Sequence, residues 1–382
     1  MSRRGGERVV EALCELYPNA DIFTLVAEEE FMSPALRQHR LTTSFLQKIP
    51  GRRRWHRHAL PLYPLALEQF DLRDYDVVIS SESGPAKGVL TRSRTCHICY
   101  CHTPMRYLWD LYHEYRSGSG MGILRRSAFQ LATHYARLWD QASASRVDHF
   151  VANSYNVAAR IRKFYRRESD VIYPPIVVEQ TAISNTIGDH YLVVGQLVSY
   201  KRVDLAIGAC NKLGRHLRVI GVGEEYGRLR RIAGPTIEFL GALSDEQVRQ
   251  EYAQCRALLF PGEEDFGMVP VEAQAHGKPV IAFDAGGATE TVIGANRGIC
   301  VTPEVASGLF FREQTVHSLS EAILQFELIE PCFSPRFIRE HAKNFDKSHF
   351  LQNMSQFVSD RLDEASKRNK VERNHRTLVA VS

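Results

Sequence analysis

The sequence predicts an α/β protein made of two Rossmann-like domains facing a cleft. Three observations lead there. Short apolar runs of strand character alternate with amphipathic helical stretches, the pattern of parallel strands covered by crossover helices. The alternation occurs twice, in two series of similar size, separated by Tyr173-Pro174-Pro175 and a weakly periodic stretch up to about Asp189. Finally, 382 residues exceed what one ordinary core holds.

In the first series, Gly5-Gly6 precede a helix with an apolar stripe of Val9, Val10, Leu13 and Leu16, and Asp21 to Val26 reads as a strand. Tyr75 to Ser80 and Cys96 to Cys101 are buried strands, and Arg125 to Ala144 is a long amphipathic helix. His149 to Ser154 is a strand whose Ser154 is placed to cap the helix carrying Val157, Ile161 and Phe164. A domain of this kind ordinarily opens with a strand feeding a glycine loop. Here the glycines come almost at once, so the first strand is expected either to lie upstream of this chain or to be lost. The second series has strands at Tyr191 to Val194, Leu217 to Gly221, Ile237 to Leu240, Ala257 to Phe260 and Val280 to Phe283. Its helices are Asp204 to Leu213, Tyr226 to Ile232, Asp245 to Ala253 and Val271 to His276. Helical patterns return beyond about Glu313, and the polar residues from about Lys367 are expected to fray. The expected divisions are two Rossmann-like domains, 1–180 and 181–335, and helices and a tail over 336–382 returning to the first.

Composition narrows the function classes. Hydrophobic residues make up 44% and charged residues 24%, which excludes collagen-like and disordered chains. A net charge of +4 is too balanced for bulk electrostatic binding of nucleic acid, and no nucleic-acid partner is expected. There is no apolar run of the roughly 18 to 20 residues that span a bilayer, and the opening residues lack a secretory segment, so a cytoplasmic location is expected. Five cysteines are scattered singly. Three cluster as Cys96, Cys99 and Cys101 beside His97 and His102. Cys96-x-x-Cys99 has ligand spacing, but no second pair matches it and the segment reads as a strand, so core cysteines are preferred to a metal site.

The stretch from Pro261 to Val280 is the most informative. Glu264 and Glu272 are separated by seven residues, with Phe266-Gly267-Met268 between them and Pro270 suited to a helix's first turn. Unpaired N–H groups at such a start, beside a glycine that permits close approach, suit an anion. Lys201-Arg202 follows a strand and precedes a helix, a place that favours a functional role for a basic pair otherwise read as a solvated face. His102 ends a strand, where ligands bind in open α/β sheets. Gly221-x-Gly223 lacks a third glycine at the usual spacing, which disfavours a dinucleotide site.

This block resembles the E-x7-E signature of the family 4 retaining glycosyltransferases, which have the GT-B fold. The resemblance continues in Val194-Gly-Gln-Leu-Val-Ser-Tyr-Lys-Arg-Val-Asp204, Gly221-Val-Gly-Glu224, Phe239-Leu-Gly241 and Phe283-Asp-Ala-Gly-Gly-Ala-Thr-Glu290. Upstream it covers Arg4-Gly-Gly-Glu7, Cys101-His-Thr-Pro-Met-Arg106 and Ala152-Asn-Ser154. Among subgroups the chain is most similar to bacterial polysaccharide and lipopolysaccharide mannosyltransferases, which use GDP-mannose. The resemblance implies that Glu272 receives the ribose hydroxyls. It implies that Glu264 contacts the transferred sugar, beside the N–H groups of Phe266, Gly267 and Met268. Lys201 and Arg202 would neutralise the diphosphate, His102 would approach the sugar from the opposite domain, and Gly5 and Gly6 would form a loop near the phosphates. His102, Lys201 and Glu264 are thus the candidate catalytic residues and the others donor-binding ones. Gln196 stands where many members carry arginine, which leaves Lys201 and Arg202 more of the neutralisation. The resemblance further implies retention without metal or other cofactor, by front-face attack in which the departing phosphate helps deprotonate the acceptor.

The expected activity is transfer of a sugar, mannose from GDP-mannose, onto a saccharide or lipid-linked saccharide acceptor in cell-surface polysaccharide synthesis. The alternatives are a nucleotide-sugar epimerase or phosphorylase on the same fold, or a non-catalytic nucleotide-sugar-binding scaffold. The run Arg52-Arg-Arg-Trp-His-Arg-His58, which includes Arg53, Arg54 and Arg57, reads either as a solvated loop or as a contact to an anionic membrane surface. The second reading would make the protein peripheral on the inner face of the membrane.

Overall fold

The computed structural model describes residues 5–28, 32–50, 60–117, 123–179, 181–183, 188–295, 303–369 and 377–381. The chain divides into two compact units. The first opens with α1 (Gly5–Leu16), which buries Val9, Val10, Ala12, Leu13 and Cys14. Its strands are β1 (Asp21–Thr24), β2 (Leu41–Thr43), β3 (Val77–Glu82), β4 (Cys96–Cys101), β5 (His149–Ala152) and β6 (Ser169–Val171). Its further helices are α2 (Tyr63–Glu68), α3 (Tyr112–Ser117), α4 (Ile123–Ser143) and α5 (Tyr155–Tyr165). Ser154 caps α5 by accepting from the Val157 N–H. Every residue of β3 and β4 is buried, as strands covered on both faces must be. Cys99 and Cys101 pack there among Phe150, Val157, Ile161 and Tyr165.

The second unit alternates β7 (His190–Val194), α6 (Val203–Leu213), β8 (His216–Ile220), α7 (Tyr226–Ile232), β9 (Ile237–Gly241), α8 (Asp245–Gln254), β10 (Leu258–Phe260), α9 (Met268–Ala275) and β11 (Val280–Phe283). It closes with α10 (Ala288–Thr291), β12 (Gly308–Phe311), α11 (Val316–Ile329) and α12 (Pro335–Ala342). Its six strands are all parallel in the order β12-β11-β10-β7-β8-β9. A single cluster running from Tyr191 to Ile338 fills the space between the sheet and α6, α11 and α12.

The chain then returns to the first unit. Helix α13 (Lys347–Asn369) carries it across, and β13 (Thr377–Val381) enters the first sheet, whose order is β2-β1-β13-β3-β4-β5-β6 with every pairing parallel. This corrects the expectation of a frayed tail. Thr377-Leu-Val-Ala-Val381 is a five-residue β-prone run that fits a covered parallel strand, although polar sequence precedes it. No strand precedes α1 among the described residues, and the slot between β1 and β3 is filled by β13, against which α1 packs.

The divisions also differ from the expected ones at 180 and 335, falling instead at Tyr173/Pro174 and Phe350/Leu351. At the first, Asp346 Oδ1 accepts from the N–H groups of Val178 and Glu179, while the Lys347 N–H donates to the Ile176 carbonyl, so residues 176–179 belong with the second unit. At the second, α12 buries Ile338 and Ala342 against that unit and packs on α9.

Candidate active site

The carboxyl ends of β7 and β10 lead into the two segments that carry the charged residues. After β7 the chain turns through Ser199–Lys201, and Arg202 takes a left-handed conformation before α6. Lys201 Nζ lies 2.5 Å from Glu264 Oε1, in a depression lined by Val194, Gly195, Pro261 and Gly262. Burial works against the Lys201 ammonium. Glu264 overrides it, with a smaller contribution from Glu272, so the pKa is held above its ordinary value and the lysine stays charged. Both side chains keep some exposure, 16% and 21%. Arg202 is oriented differently: its Nε lies 3.3 Å from Asp204 Oδ1 and its Nη2 reaches the Gln314 carbonyl, so the guanidinium expected to help neutralise a diphosphate is already engaged. Gln196 is exposed.

Glu264 leads directly to the start of α9. Its carbonyl accepts from the Gly287 N–H at 2.8 Å, which fixes the loop. Gly267 precedes the helix with φ 84°, a left-handed backbone that glycine adopts without steric cost, and no side chain caps the helix there. The first helical N–H groups, from Met268 and Val269, therefore point out of the helix start, and Pro270 has none to leave unmet. Phe266 contributes backbone only, because its ring is buried edge-to-face on Phe345. Glu272, one turn further on, is held at Oε2 by the hydroxyl of the buried Tyr252 at 2.8 Å. Tyr252 in turn stacks on His276, 5.8 Å between ring centroids. The structure thus brings Lys201, Glu264 and Glu272 into one electrostatic group, with the uncapped helix start between the acids.

His102, Gly5 and Gly6 belong to the other unit. His102 follows β4 and is half-buried. Its Nε2 lies 2.9 Å from Ser81 Oγ, its backbone N–H donates to the Glu82 carbonyl, and its ring meets Tyr100 edge-on at 5.3 Å. Burial pushes its pKa down to about 4, which leaves a neutral imidazole at pH 7. Gly6 lies against this ring: a Cβ added there would stand 3.4 Å from Nε2.

The sequence reading missed Tyr252 and Ser81, and it missed a buried charge cluster behind His102. Lys87 Nζ contacts Glu82 Oε1 at 2.8 Å and also pairs with Asp140, with all three side chains fully buried. Asp140 further accepts from Trp109 Nε1 and the Tyr165 hydroxyl. The available signal was Glu82 and Lys87 inside an otherwise buried segment. Arg52, Arg53, Arg54 and Arg57 lie outside the described residues. Among the described residues no group of three His, Cys, Asp or Glu side chains is arranged to hold a metal ion.

Two all-parallel α/β units, one carrying a lysine–carboxylate pair beside an uncapped helix start, define the GT-B class. Solved structures with this fold include sucrose-phosphate synthase from Thermosynechococcus elongatus, with a TM-score of 0.68 at 16% identity over 94% of this chain and 92% of that one. Anabaena HepE in complex with UDP-glucose also gives a TM-score of 0.68, at 17% identity over 94% and 97%. The profile described as Glycosyltransferase Family 4 matches residues 3–180, and Glycosyl transferases group 1 matches residues 184–346. The chain belongs to the family 4 glycosyltransferases. An uncharacterized glycosyltransferase of Methanocaldococcus jannaschii is 33% identical over 161 residues, 41% of this chain and 42% of that protein. Human alpha-1,3/1,6-mannosyltransferase is 26% identical over 289 residues, 64% of this chain and 65% of that protein. A GDP-mannose-dependent alpha-mannosyltransferase of Mycobacterium tuberculosis is 36% identical over 107 residues, 28% of each. The chain matches less than two thirds of the length of each of these three.

Proposed function

We propose that the protein is a retaining glycosyltransferase that moves mannose from GDP-mannose onto a saccharide or lipid-linked saccharide acceptor in cell-surface polysaccharide synthesis. The observation that carries this reading is the Lys201–Glu264 pair set at the uncapped start of α9 with Glu272 one turn away. The donor's diphosphate would take over Lys201 and the first N–H groups of α9, Glu264 would be released to the sugar hydroxyls, and Glu272 would accept from the ribose. His102 is assigned to the transferred sugar. The anomeric carbon–phosphate oxygen bond breaks as the acceptor oxygen bonds to the same carbon, and the acceptor proton passes to the departing phosphate. Fixed positive charge on the protein does the neutralising in this scheme, with no metal or other cofactor. The names of the mannosyltransferase relatives support the choice of donor.

The test is a thermal-shift panel of GDP, UDP, ADP and their sugars. A ligand at 100 times its dissociation constant stabilises by about 2.7 kcal/mol, so GDP and GDP-mannose should stand apart. A response confined to UDP or ADP compounds would replace the donor. Donor consumption by Glu264→Ala at the parental rate would favour the non-catalytic scaffold.

A second reading concerns location on the inner face of a membrane. Helix α4 exposes Leu131 (73%), Tyr135 (55%) and Leu138 (56%) at spacings of four and three, one stripe of the helix. No helix among the described residues is long and apolar enough to cross a membrane. The stripe suits a lipid surface, and the basic run Arg52 to His58, a feature of the sequence alone, favours an anionic one. Flotation with vesicles containing phosphatidylglycerol should carry the protein upward, and Leu131→Asp with Leu138→Asp should release it. Absence of flotation by the parent protein would end this reading.

A further inference from the structure

Strand β3 contains two consecutive serines, and each contacts one histidine associated with β4. Neighbouring residues of a strand point to opposite faces. Ser80 Oγ lies 2.9 Å from His97 Nε2, and Ser81 Oγ lies 2.9 Å from His102 Nε2. The two arrangements share the serine and differ at the other ring nitrogen. His97 Nδ1 faces the Arg146 carbonyl at 3.3 Å. A carbonyl only accepts, so that nitrogen carries the proton, and Nε2 must accept from the Ser80 hydroxyl. His97 is fully buried and all its polar atoms are used within the fold. His102 has the same serine contact, but among the described residues its Nδ1 has no hydrogen-bond partner.

We infer that Ser81 is a positioning residue: its hydroxyl donates to His102 Nε2, holding the imidazole as the Nδ1–H tautomer so that Nδ1–H is presented as a donor to an oxygen of the bound nucleotide sugar. Three features restrict the ring to this role. The Ser81 side chain is anchored in a buried strand, with Ser81 paired in register to Tyr100. The Tyr100 ring meets His102 edge-on, which limits rotation. Nε2 is engaged by the Ser81 hydroxyl with Gly6 alongside it, where a Cβ would come within 3.4 Å, so Nδ1 is the ring nitrogen left for a ligand. A neutral ring is required for a fixed tautomer, and burial keeps it neutral. Positioning of a histidine through its second nitrogen is a general device for setting tautomer and aim.

The inference rests on the proposed role of His102 in sugar transfer, but its first test needs no substrate. Histidine-selective 15N labelling of the full chain, with the His102 signal assigned by its loss in His102→Gln, reads the tautomer directly. The expected result is Nδ1–H in the parent and a shift toward Nε2–H in Ser81→Ala. An Nε2–H tautomer in the parent, or no change in Ser81→Ala, overturns the inference whatever the donor proves to be. The second test is kinetic. Ser81→Ala is expected to lower kcat about tenfold while the nucleotide's dissociation constant stays within twofold, and Ser81→Thr is expected to restore most of the rate. Parental kcat in Ser81→Ala overturns the positioning role. Loss of nucleotide binding together with kcat would also overturn it, because that pattern marks general disruption of the fold. If the thermal-shift panel finds no nucleotide sugar, the proposed function fails while the tautomer result still stands or falls by itself.

Discussion

In the unit built on β7 to β12, Lys201 meets Glu264 with 16% and 21% of the side chains exposed, and Arg202 nearby pairs with Asp204 at 3.3 Å. In the other unit, Lys87 meets Glu82 and Asp140 with no exposure at all. Both lysines are within hydrogen-bond reach of a carboxylate beside the carboxyl end of a strand, so contact alone does not separate them. Exposure does. A pair that still touches solvent can exchange its partner for a ligand phosphate, whereas a fully buried one has exchanged water for fixed protein dipoles and cannot reopen without losing them. Asp140 has Trp109 and Tyr165 as further donors, and Glu82 also receives the Lys87 backbone N–H at 2.7 Å, so every charge in that cluster is paid for inside the fold.

The sharpest way to break this comparison is to remove each lysine. Lys87→Met leaves two buried carboxylates without their cation, and the expected loss is about 3 to 5 kcal/mol, enough to leave little folded protein at 37 °C. Circular dichroism melts should show it, and a variant as stable as the parent would mean the cluster is not the anchor described. Lys201→Ala should instead change the melting temperature by no more than a few degrees while lowering transfer about 10²- to 10³-fold, if its charge serves the donor's phosphates as proposed. A Lys201→Ala protein that is unstable, or fully active, would erase the distinction between the two lysines.

The same comparison shows how much could be read from the sequence. Glu264, Glu272 and Lys201 were legible because the family pattern places them at fixed positions after strands, and the alternation of apolar runs located nearly every strand of the second unit within a residue or two. Strand β12 was missed, since Gly308–Phe311 is a four-residue run beginning with glycine, and β13 was hidden by the polar sequence before it. The buried cluster was illegible for a different reason. Glu82 and Lys87 lie five residues apart and meet Asp140 from a helix 53 residues beyond Lys87, and a charged residue in a strand or helix looks solvated until its partners are known. Tyr252 and Ser81 were illegible because each acts on another candidate residue through one hydrogen bond, 20 or 21 residues away in sequence.

The histidines extend the contrast to pH. Burial pushes the pKa of His97 down to about 4, from about 6.5 in an unfolded chain. Between those values the unfolded chain binds a proton that the folded one does not. His97's contribution to stability is therefore fully present above about pH 6.5 and is lost as pH falls toward 4. The expected difference is about 2 to 3 kcal/mol, read as the extra loss of the parent over His97→Gln in urea melts between pH 7 and 4.5. Parallel curves for the two proteins would show that His97 is not held neutral by its surroundings.

The smallest effect expected lies at Tyr252. Its ring is buried in the second unit and its hydroxyl donates to Glu272, so Tyr252→Phe keeps the packing and the stack on His276 while removing that donor from the carboxylate. If Glu272 accepts from the ribose as proposed, that carboxylate loses its aim rather than its charge. The expected cost is about 1 kcal/mol, a roughly fivefold weaker nucleotide affinity, with kcat at saturating donor unchanged because the ribose lies away from the bond that breaks. Isothermal titration with the nucleoside diphosphate reads the first, and steady-state rates the second. Unchanged affinity would remove Glu272 from the ribose, whereas a fall in kcat at saturation would place it closer to the reacting carbon than the E-x7-E division of roles allows.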